Sequence, residues 1–192
     1  AIIPDIDSLA VGFGILFTDL QDPVDFFHRK ATHSFFLVIL TLITGMIISE
    51  ITHNPKYKII SRGLSIGILS HIVVDTFLFF KGIYFLWPLN IKFNLWDGIY
   101  TPPLIIENLL MSLEFLFFRI YAWILIQFTI QSSSNNMWFH KPLIIWKNIE
   151  FWCFIIFTIL AIINYSGFPI LSGIVYIASL MMALVSTYIV RD

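Results

Sequence analysis

The sequence predicts an all-α membrane protein, a polytopic bundle of transmembrane helices. Hydrophobic residues make up 58% of its 192 residues and charged residues only 12%, whereas soluble domains are nearer half apolar and a quarter charged. Phenylalanine alone occurs 20 times. One core in a chain of this size cannot bury so much apolar side chain, so lipid must face part of it.

Five apolar runs account for this hydropathy, and polar stretches rich in turn-forming residues separate them. The predicted spans cover approximately 34–51, 59–80, 104–130, 151–163 and 168–190. The fourth is short unless it begins near Leu143, inside a stretch that also holds Lys147 and Glu150. The apolar stretch 9–17 is too short to cross a bilayer, so we expect it to be interfacial or re-entrant.

Charge and cysteine content exclude several classes of function. The formal net charge is -1, so no basic surface indicates a nucleic-acid partner. The single cysteine, Cys153, lies in an apolar run and can form neither an internal disulfide nor a thiolate metal cluster. If the spans alternate, Lys and Arg divide six against four between the two sides. That bias predicts that the N-terminal loop and the loop 81–103 face away from the cytoplasm.

Two segments near the N-terminus carry residue types that bind metals. Asp5 and Asp7, one residue apart after a proline, suit hard or borderline cations, although a solvated turn has the same pattern. His28 and His33 flank a basic pair at the mouth of the first span, and imidazole is a common zinc ligand. We expect one helix, starting at Asp22-Pro23, to run through both histidines into that span.

The second span carries the most specific pattern. Gly63, Gly67, His71 and Asp75 recur every fourth residue and therefore share one helix face. The glycines predict close approach of another helix. A charged Asp at membrane depth costs about 3 kcal/mol and needs a partner. A His–Asp hydrogen bond that merely fastens two helices is the alternative interpretation.

Alternating spans bring these three segments to one face of the membrane, where they predict a site for one or two divalent ions with positions open to water. We expect zinc, with magnesium or manganese as alternatives. The predicted ligands are Asp5, Asp7, His28, His33, His71 and Asp75. Trp87 and Asn90, after the second span, are predicted to form a substrate rim.

The order and spacing of these blocks resemble the YdjM-like membrane-bound metal-dependent hydrolases, bacterial inner-membrane proteins of which one is LexA-regulated. The resemblance covers roughly the first 90 residues; 104–190 match only as generic spans of a single membrane-embedded domain. Because members usually begin with a further helix carrying a histidine, we expect such a helix to be missing here. The matching residues are Pro4-Asp5-Ile6-Asp7, His28-Arg29, Thr32-His33-Ser34, Ser70-His71, Asp75 and Trp87-Pro88.

The family is similar in its His and Asp motifs to zinc-dependent phospholipase C and related nucleases, which implies cleavage of phosphate esters. The favoured hypothesis is therefore a metal-dependent hydrolase acting on a phosphate ester or lipid-borne substrate at the membrane interface. Arg29 is its predicted catalytic residue, because a guanidinium can neutralise charge on a phosphate oxygen. An ion- or proton-coupled transporter and a non-catalytic protein with a structural metal are the alternatives, and the oligomeric state stays open.

Overall fold

The computed structural model describes residues 3–14, 16–17, 29–78, 80, 82–132 and 135–191, apart from the side chains of 135 and 136. Two compact units divide the chain, Ala1–Thr101 and Pro102–Asp192. Short 3₁₀ helices occupy Pro4–Ile6, Ala31–His33 and Asn135–Phe139. The α-helices are α1 Asp7–Gly14, α2 Phe35–Thr52, α3 Lys56–Leu78, α4 Leu104–Gln131, α5 His140–Ile162 and α6 Phe168–Val190.

The helices α2 to α6 are long and apolar enough to cross a membrane, which confirms the predicted all-α architecture with five spans. The helix α1 has only eight residues, too few to span. The fourth span was predicted to begin at residue 151 or, if longer, near Leu143, and α5 begins at His140, close to the second alternative. The longer span is possible because Glu150, which interrupts the apolar run, is buried against protein and does not face lipid.

In the first unit, α2 and α3 form an antiparallel hairpin with well-defined ends. Ser34 caps α2: its Oγ accepts a hydrogen bond from the Leu37 amide at 3.3 Å. At the other end His53 adopts a left-handed conformation with φ 52°, and the Asn54 side chain accepts from the Lys56 amide at 3.0 Å. The start of α2 therefore lies beside the end of α3.

The entry into α2 differs from the prediction. Ser34 is extended, with φ -100° and ψ 148°, and it follows the 3₁₀ turn Ala31–His33. A single helix through His33 into the first span is therefore wrong, because the capping residue must leave helical geometry to present its oxygen. The predicted start of that helix, Asp22-Pro23, lies outside the described residues.

The hairpin packs on a face of α3 that the sequence did not predict. Ser61, Ser65, Ile68 and Ile72 are its buried residues, and the Ser65 hydroxyl donates to the Val38 carbonyl oxygen at 3.1 Å. The expectation that Gly63 mediates close approach is wrong, because it is exposed and a Cβ there would meet nothing within 4 Å. A spacing of four assigns residues to one face, but it does not say which face meets the neighbouring helix.

The second unit is a three-helix bundle of α4, α5 and α6. Its core contains Phe115, Phe157, Ala161 and Phe168, and the rings of Phe115 and Phe157 stack with centroids 4.8 Å apart. Glu150 links α5 to α6: its Oε1 accepts hydrogen bonds from Trp146 Nε1 at 2.7 Å and from the Ser179 hydroxyl at 2.5 Å. One oxygen of a polar residue in the fourth span thus has partners inside the bundle, whereas its Oε2 is buried and accepts no hydrogen bond from the described residues.

We expect Gly45→Ala to destabilise the α2–α3 hairpin by about 1–3 kcal/mol, the usual range for overpacking. A Cβ at position 45 would overlap the Ser61 side chain, which is too short to move aside. Gly63→Ala is the matched control, since it adds the same methyl group where space is open. The midpoint of thermal unfolding in detergent measures both, and equal midpoints for the two variants would contradict the packing described here.

We expect Glu150→Gln to leave stability nearly unchanged and Glu150→Ala to lower it by about 1–3 kcal/mol. Gln keeps the oxygen that accepts from Trp146 and Ser179, whereas Ala leaves both donors buried without an acceptor. Chemical denaturation of the purified protein in mixed micelles compares the two variants. A Gln variant as unstable as the Ala variant would mean that the charge, and not the acceptor oxygen, holds α5 to α6.

Candidate metal centre

Asp5, His33 and His71 come together at one end of the α2–α3 hairpin. One potential ligand atom from each lies within 4.8 Å of the other two. Asp5 comes from the 3₁₀ turn Pro4–Ile6, His33 from the turn that precedes α2, and His71 from α3. Segments far apart in sequence therefore form a group that can hold a metal ion.

Asp75, one turn after His71, extends this group. Its Oδ2 lies 3.1 Å from His33 Nε2 and 3.6 Å from His71 Nε2. Asp5 Oδ1 lies 3.9 Å from His33 Nε2 and 3.3 Å from His71 Nε2. A tetrahedral ion with bonds of about 2.0–2.1 Å separates its ligand atoms by about 3.3 Å, so these four spacings are close to what such an ion needs, although Asp75 is not part of the group of three that lies within 4.8 Å.

Hydrogen bonding alone does not account for this arrangement. His71 Nε2 and Asp75 Oδ2 are both buried, and among the described residues no hydrogen bond of acceptable geometry reaches either atom. Buried polar atoms without such a bond are uncommon and call for an unseen water or ion. The donor set of imidazole nitrogens and carboxylate oxygens fits a divalent cation such as zinc.

The side chains of the group are only partly accessible. His33 is fully buried, whereas the side chains of Asp5, His71 and Asp75 retain 18–21% of their accessible surface. The candidate ligand atoms are less accessible still, since Nε2 of both histidines and Oδ2 of Asp75 are buried. A closed structural site hides its ligands behind protein, whereas a site that reacts with substrate keeps a position for water, and this exposure is compatible with either kind of site.

Charge also favours one divalent cation. Arg29 Nε lies 3.6 Å from Asp75 Oδ2, and the ammonium of Lys30 lies over the Tyr84 ring, 5.5 Å from its centroid. The Arg29 guanidinium thus lies beside a group of carboxylates from Asp5, Asp7 and Asp75, and a divalent cation would offset part of their remaining negative charge.

Asp7 occupies a different position, on the Nδ1 side of His33. Its Oδ2 accepts a hydrogen bond from the Arg29 amide at 3.0 Å and from the Thr32 hydroxyl at 2.6 Å, and it lies 3.5 Å from His33 Nδ1. Arg29 is held in the left-handed region with φ 59°, which is strained for a residue other than glycine. Asp7 thus stabilises the strained turn that presents Arg29 and His33.

The electrostatics of His33 follow from these contacts. Burial of the ring by itself lowers the pKa of His33, but close interactions with the carboxylates of Asp7 and Asp75 outweigh it, so the pKa is raised above its usual value. A metal ion at Nε2 must therefore compete with a proton.

The loop after α3 is hydrogen-bonded to the segment around Arg29 and to the start of α2. The Tyr84 amide donates to the Arg29 carbonyl oxygen at 3.3 Å, and the Phe35 amide donates to the Phe85 carbonyl oxygen at 2.9 Å. Trp87 is half-buried and Asn90 is exposed on the same loop, and their assignment to a substrate rim stays a prediction. His28, the sixth predicted ligand, lies outside the described residues.

Comparison with known proteins places the chain in a family. The model of the YdjM inner membrane protein family matches residues 1–190. The chain belongs to this family. With its five apolar spans, it is an integral membrane protein of the bacterial inner membrane. The match extends well beyond the first 90 residues, to which the motifs had limited the resemblance.

A curated relative adds similarity without a function. The chain is 32% identical over 128 residues to "Uncharacterized protein YvsG" of Bacillus subtilis (strain 168), which covers 63% of this chain and 75% of the relative. No solved structure matches the chain. Support for an activity in this member of the family therefore comes from the geometry of its own side chains.

Thr32 belongs to the site but was not among the residues predicted to form it, although it lies in the Thr32-His33-Ser34 block that resembles the family. The Thr32 hydroxyl lies 3.0 Å from His33 Nδ1 as well as 2.6 Å from Asp7. A hydroxyl directly beside a candidate histidine was the available signal. The sequence does not show that Asp7 contacts this hydroxyl, because the contact depends on the fold.

We expect the metal-stripped protein to lose stability as the pH rises above about 6.5, the ordinary pKa of histidine. A raised folded-state pKa means that protonation of His33 stabilises the fold below that pH, and this contribution is lost as the pH rises through the folded value. Added zinc, which binds the neutral ring, should stabilise increasingly over the same range. Thermal unfolding across a pH series measures both trends.

His33→Gln should reduce this pH dependence. His53→Asn is the control, since His53 is exposed and asparagine tolerates its left-handed backbone. A metal-stripped protein whose unfolding midpoint climbs with pH over that range would contradict the assignment.

Proposed function

We propose that this protein is a membrane-bound metal-dependent hydrolase that cleaves a phosphate ester carried by a lipid at the membrane interface. The observation that carries the proposal is the convergence of Asp5, His33 and His71 within 4.8 Å, with the side chains of Asp5 and His71 partly exposed. Membership of a family of inner membrane proteins fits the location but does not supply the chemistry.

Asp5, His33, His71 and Asp75 are the residues that would hold the ion. Two imidazoles with carboxylates favour zinc, with manganese next; magnesium, which prefers an all-oxygen shell, fits this donor set less well. A bound ion of this kind acts as a Lewis acid and lowers the pKa of its water towards 7. The chain itself orients the ligands and buries most of their surface.

Arg29 is the residue proposed to meet the substrate. Its side chain is 20% exposed, and its Nε is 3.6 Å from Asp75 Oδ2, so the guanidinium lies at the edge of the site. A planar guanidinium pairs with phosphate through two parallel hydrogen bonds. Asp75 would hold Arg29 until a phosphate oxygen takes over one of its donors.

The depth of the site favours a substrate that belongs to the membrane. Asp75 and His71 lie three and seven residues before the end of α3 at Leu78, which is about 5 and 10 Å along the helix axis. The headgroup layer outside the hydrocarbon core is about 5–8 Å thick on each side. A phosphate of a lipid headgroup therefore reaches the exposed side of the cluster without leaving the bilayer.

We expect the purified protein to retain about one zinc ion per chain and to hydrolyse a phosphodiester presented in mixed micelles. His71→Ala should abolish both properties with little loss of helix content, since the ring is partly exposed. Arg29→Gln should keep the metal and lower kcat/KM by about 10²-fold or more, a usual cost for removing a charge-stabilising donor. His53→Asn is the control for loss of a histidine.

Different outcomes separate the competing functions. Bound metal with no activity on any phosphodiester, and no exchangeable water at the metal, would favour a structural metal. Absence of metal from protein that keeps its fold would end the hydrolase proposal. Ion flux in proteoliposomes that depends on His71 would replace it with a transporter.

A further inference from the structure

We propose that Thr32 and Asp7 are positioning residues that fix the tautomer of His33, so that its Nε2 lone pair points to the metal position. The inference rests on the proposed metal centre. It assigns Asp7 a role that acts through His33, in place of the direct ligand role that the sequence predicted. It also assigns a function to Thr32, which stands outside the predicted ligand set.

The first step concerns the direction of the hydrogen bond between Thr32 and Asp7. The two oxygens are 2.6 Å apart, a spacing typical of a hydroxyl that donates to a carboxylate. An ionised carboxylate can only accept hydrogen bonds. The single hydroxyl proton of Thr32 is therefore committed to Asp7 Oδ2.

The second step follows at His33. Thr32 Oγ1 lies 3.0 Å from His33 Nδ1, and with its proton committed it offers only a lone pair in that direction. Nδ1 must then carry the proton and donate it to Thr32. A direct approach of Nδ1 to Asp7 Oδ2, at 3.5 Å, favours the same tautomer. The neutral ring consequently has its lone pair on Nε2.

The third step concerns what Nε2 faces. It lies 3.1 Å from Asp75 Oδ2 and 3.9 Å from Asp5 Oδ1, and carboxylate oxygens donate no hydrogen bond. When the ring is neutral, lone pairs on a nitrogen and two oxygens therefore face one another, which is repulsive unless a metal ion or a second ring proton lies among them. The two hydrogen bonds, from His33 Nδ1 to Thr32 and from Thr32 to Asp7, form a relay that directs the Nε2 lone pair of the neutral ring towards the metal position.

The placement of Asp7 supports this division of roles. Its Oδ2 already accepts hydrogen bonds from the Arg29 amide at 3.0 Å and from the Thr32 hydroxyl, and both donors lie on the Nδ1 side of the ring. A carboxylate that orients a ligating histidine from behind commonly changes metal affinity by about 10- to 100-fold when it is disturbed. Here the threonine hydroxyl carries that effect from the carboxylate to the ring.

The test measures the tautomer and the zinc affinity of the full chain in micelles. Selective ¹⁵N labelling of histidine, with the His33 signals assigned by their loss in His33→Gln, should report a proton on Nδ1 and none on Nε2 in the unsubstituted protein once the pH is high enough for the ring to be neutral. Thr32→Val removes the hydroxyl at constant size and should weaken zinc binding by about 10- to 100-fold in a competition with a chelating dye. Thr32→Ser should restore affinity, since it restores the hydroxyl.

Thr52→Val is the matched control, because the Thr52 hydroxyl only donates to the Ile48 carbonyl oxygen at the other end of α2. A His33 ring with its proton on Nε2 would overturn the relay, as would a Thr32→Val variant that binds zinc as tightly as the unsubstituted protein. If the unsubstituted protein binds no zinc, the metal centre fails, while the tautomer of the neutral ring still decides whether the relay exists.

Discussion

Negative charge gathered at one end of the α2–α3 hairpin is the constraint on which the account of the site depends. The carboxylates of Asp5, Asp7 and Asp75 lie within reach of two imidazoles and one guanidinium, in surroundings that are largely closed to water. Such a concentration of like charge is costly in a medium of low dielectric constant and must be balanced by cations. Protons on the histidines can balance it, and so can one divalent ion with both rings neutral.

The α2–α3 hairpin brings the carboxylates and imidazoles of the site together. Close contact between Gly45 and Ser61, with the bond from Ser65 to Val38, holds α2 and α3 in register. His71 is thereby fixed opposite His33. The strained backbone of Arg29 and the extended backbone of Ser34 lie on either side of His33. They allow its side chain to be buried at the site before α2 starts. Site and fold are therefore coupled, and an ion bound at this point should stabilise the hairpin as well.

The sequence predicts the membrane architecture well because the thickness of the bilayer imposes a length on every span. It also predicts the pairing of His71 with Asp75, because residues four apart share a helix face. It leaves two possible starts for α5, since hydropathy treats Glu150 as a break although its Oε1 accepts hydrogen bonds from Trp146 and Ser179 inside the bundle. It cannot identify Gly45 or the far-side position of Asp7, because both depend on how helices and turns meet in space.

X-ray absorption at the zinc edge of the zinc-loaded protein tests the central claim most directly. The account predicts a first shell of nitrogen and oxygen at about 2.0–2.1 Å, with outer-shell scattering from two imidazoles that falls by half in a His71→Asn variant retaining enough zinc to measure. A spectrum without imidazole scattering, or with scattering that His71→Asn leaves unchanged, would contradict it.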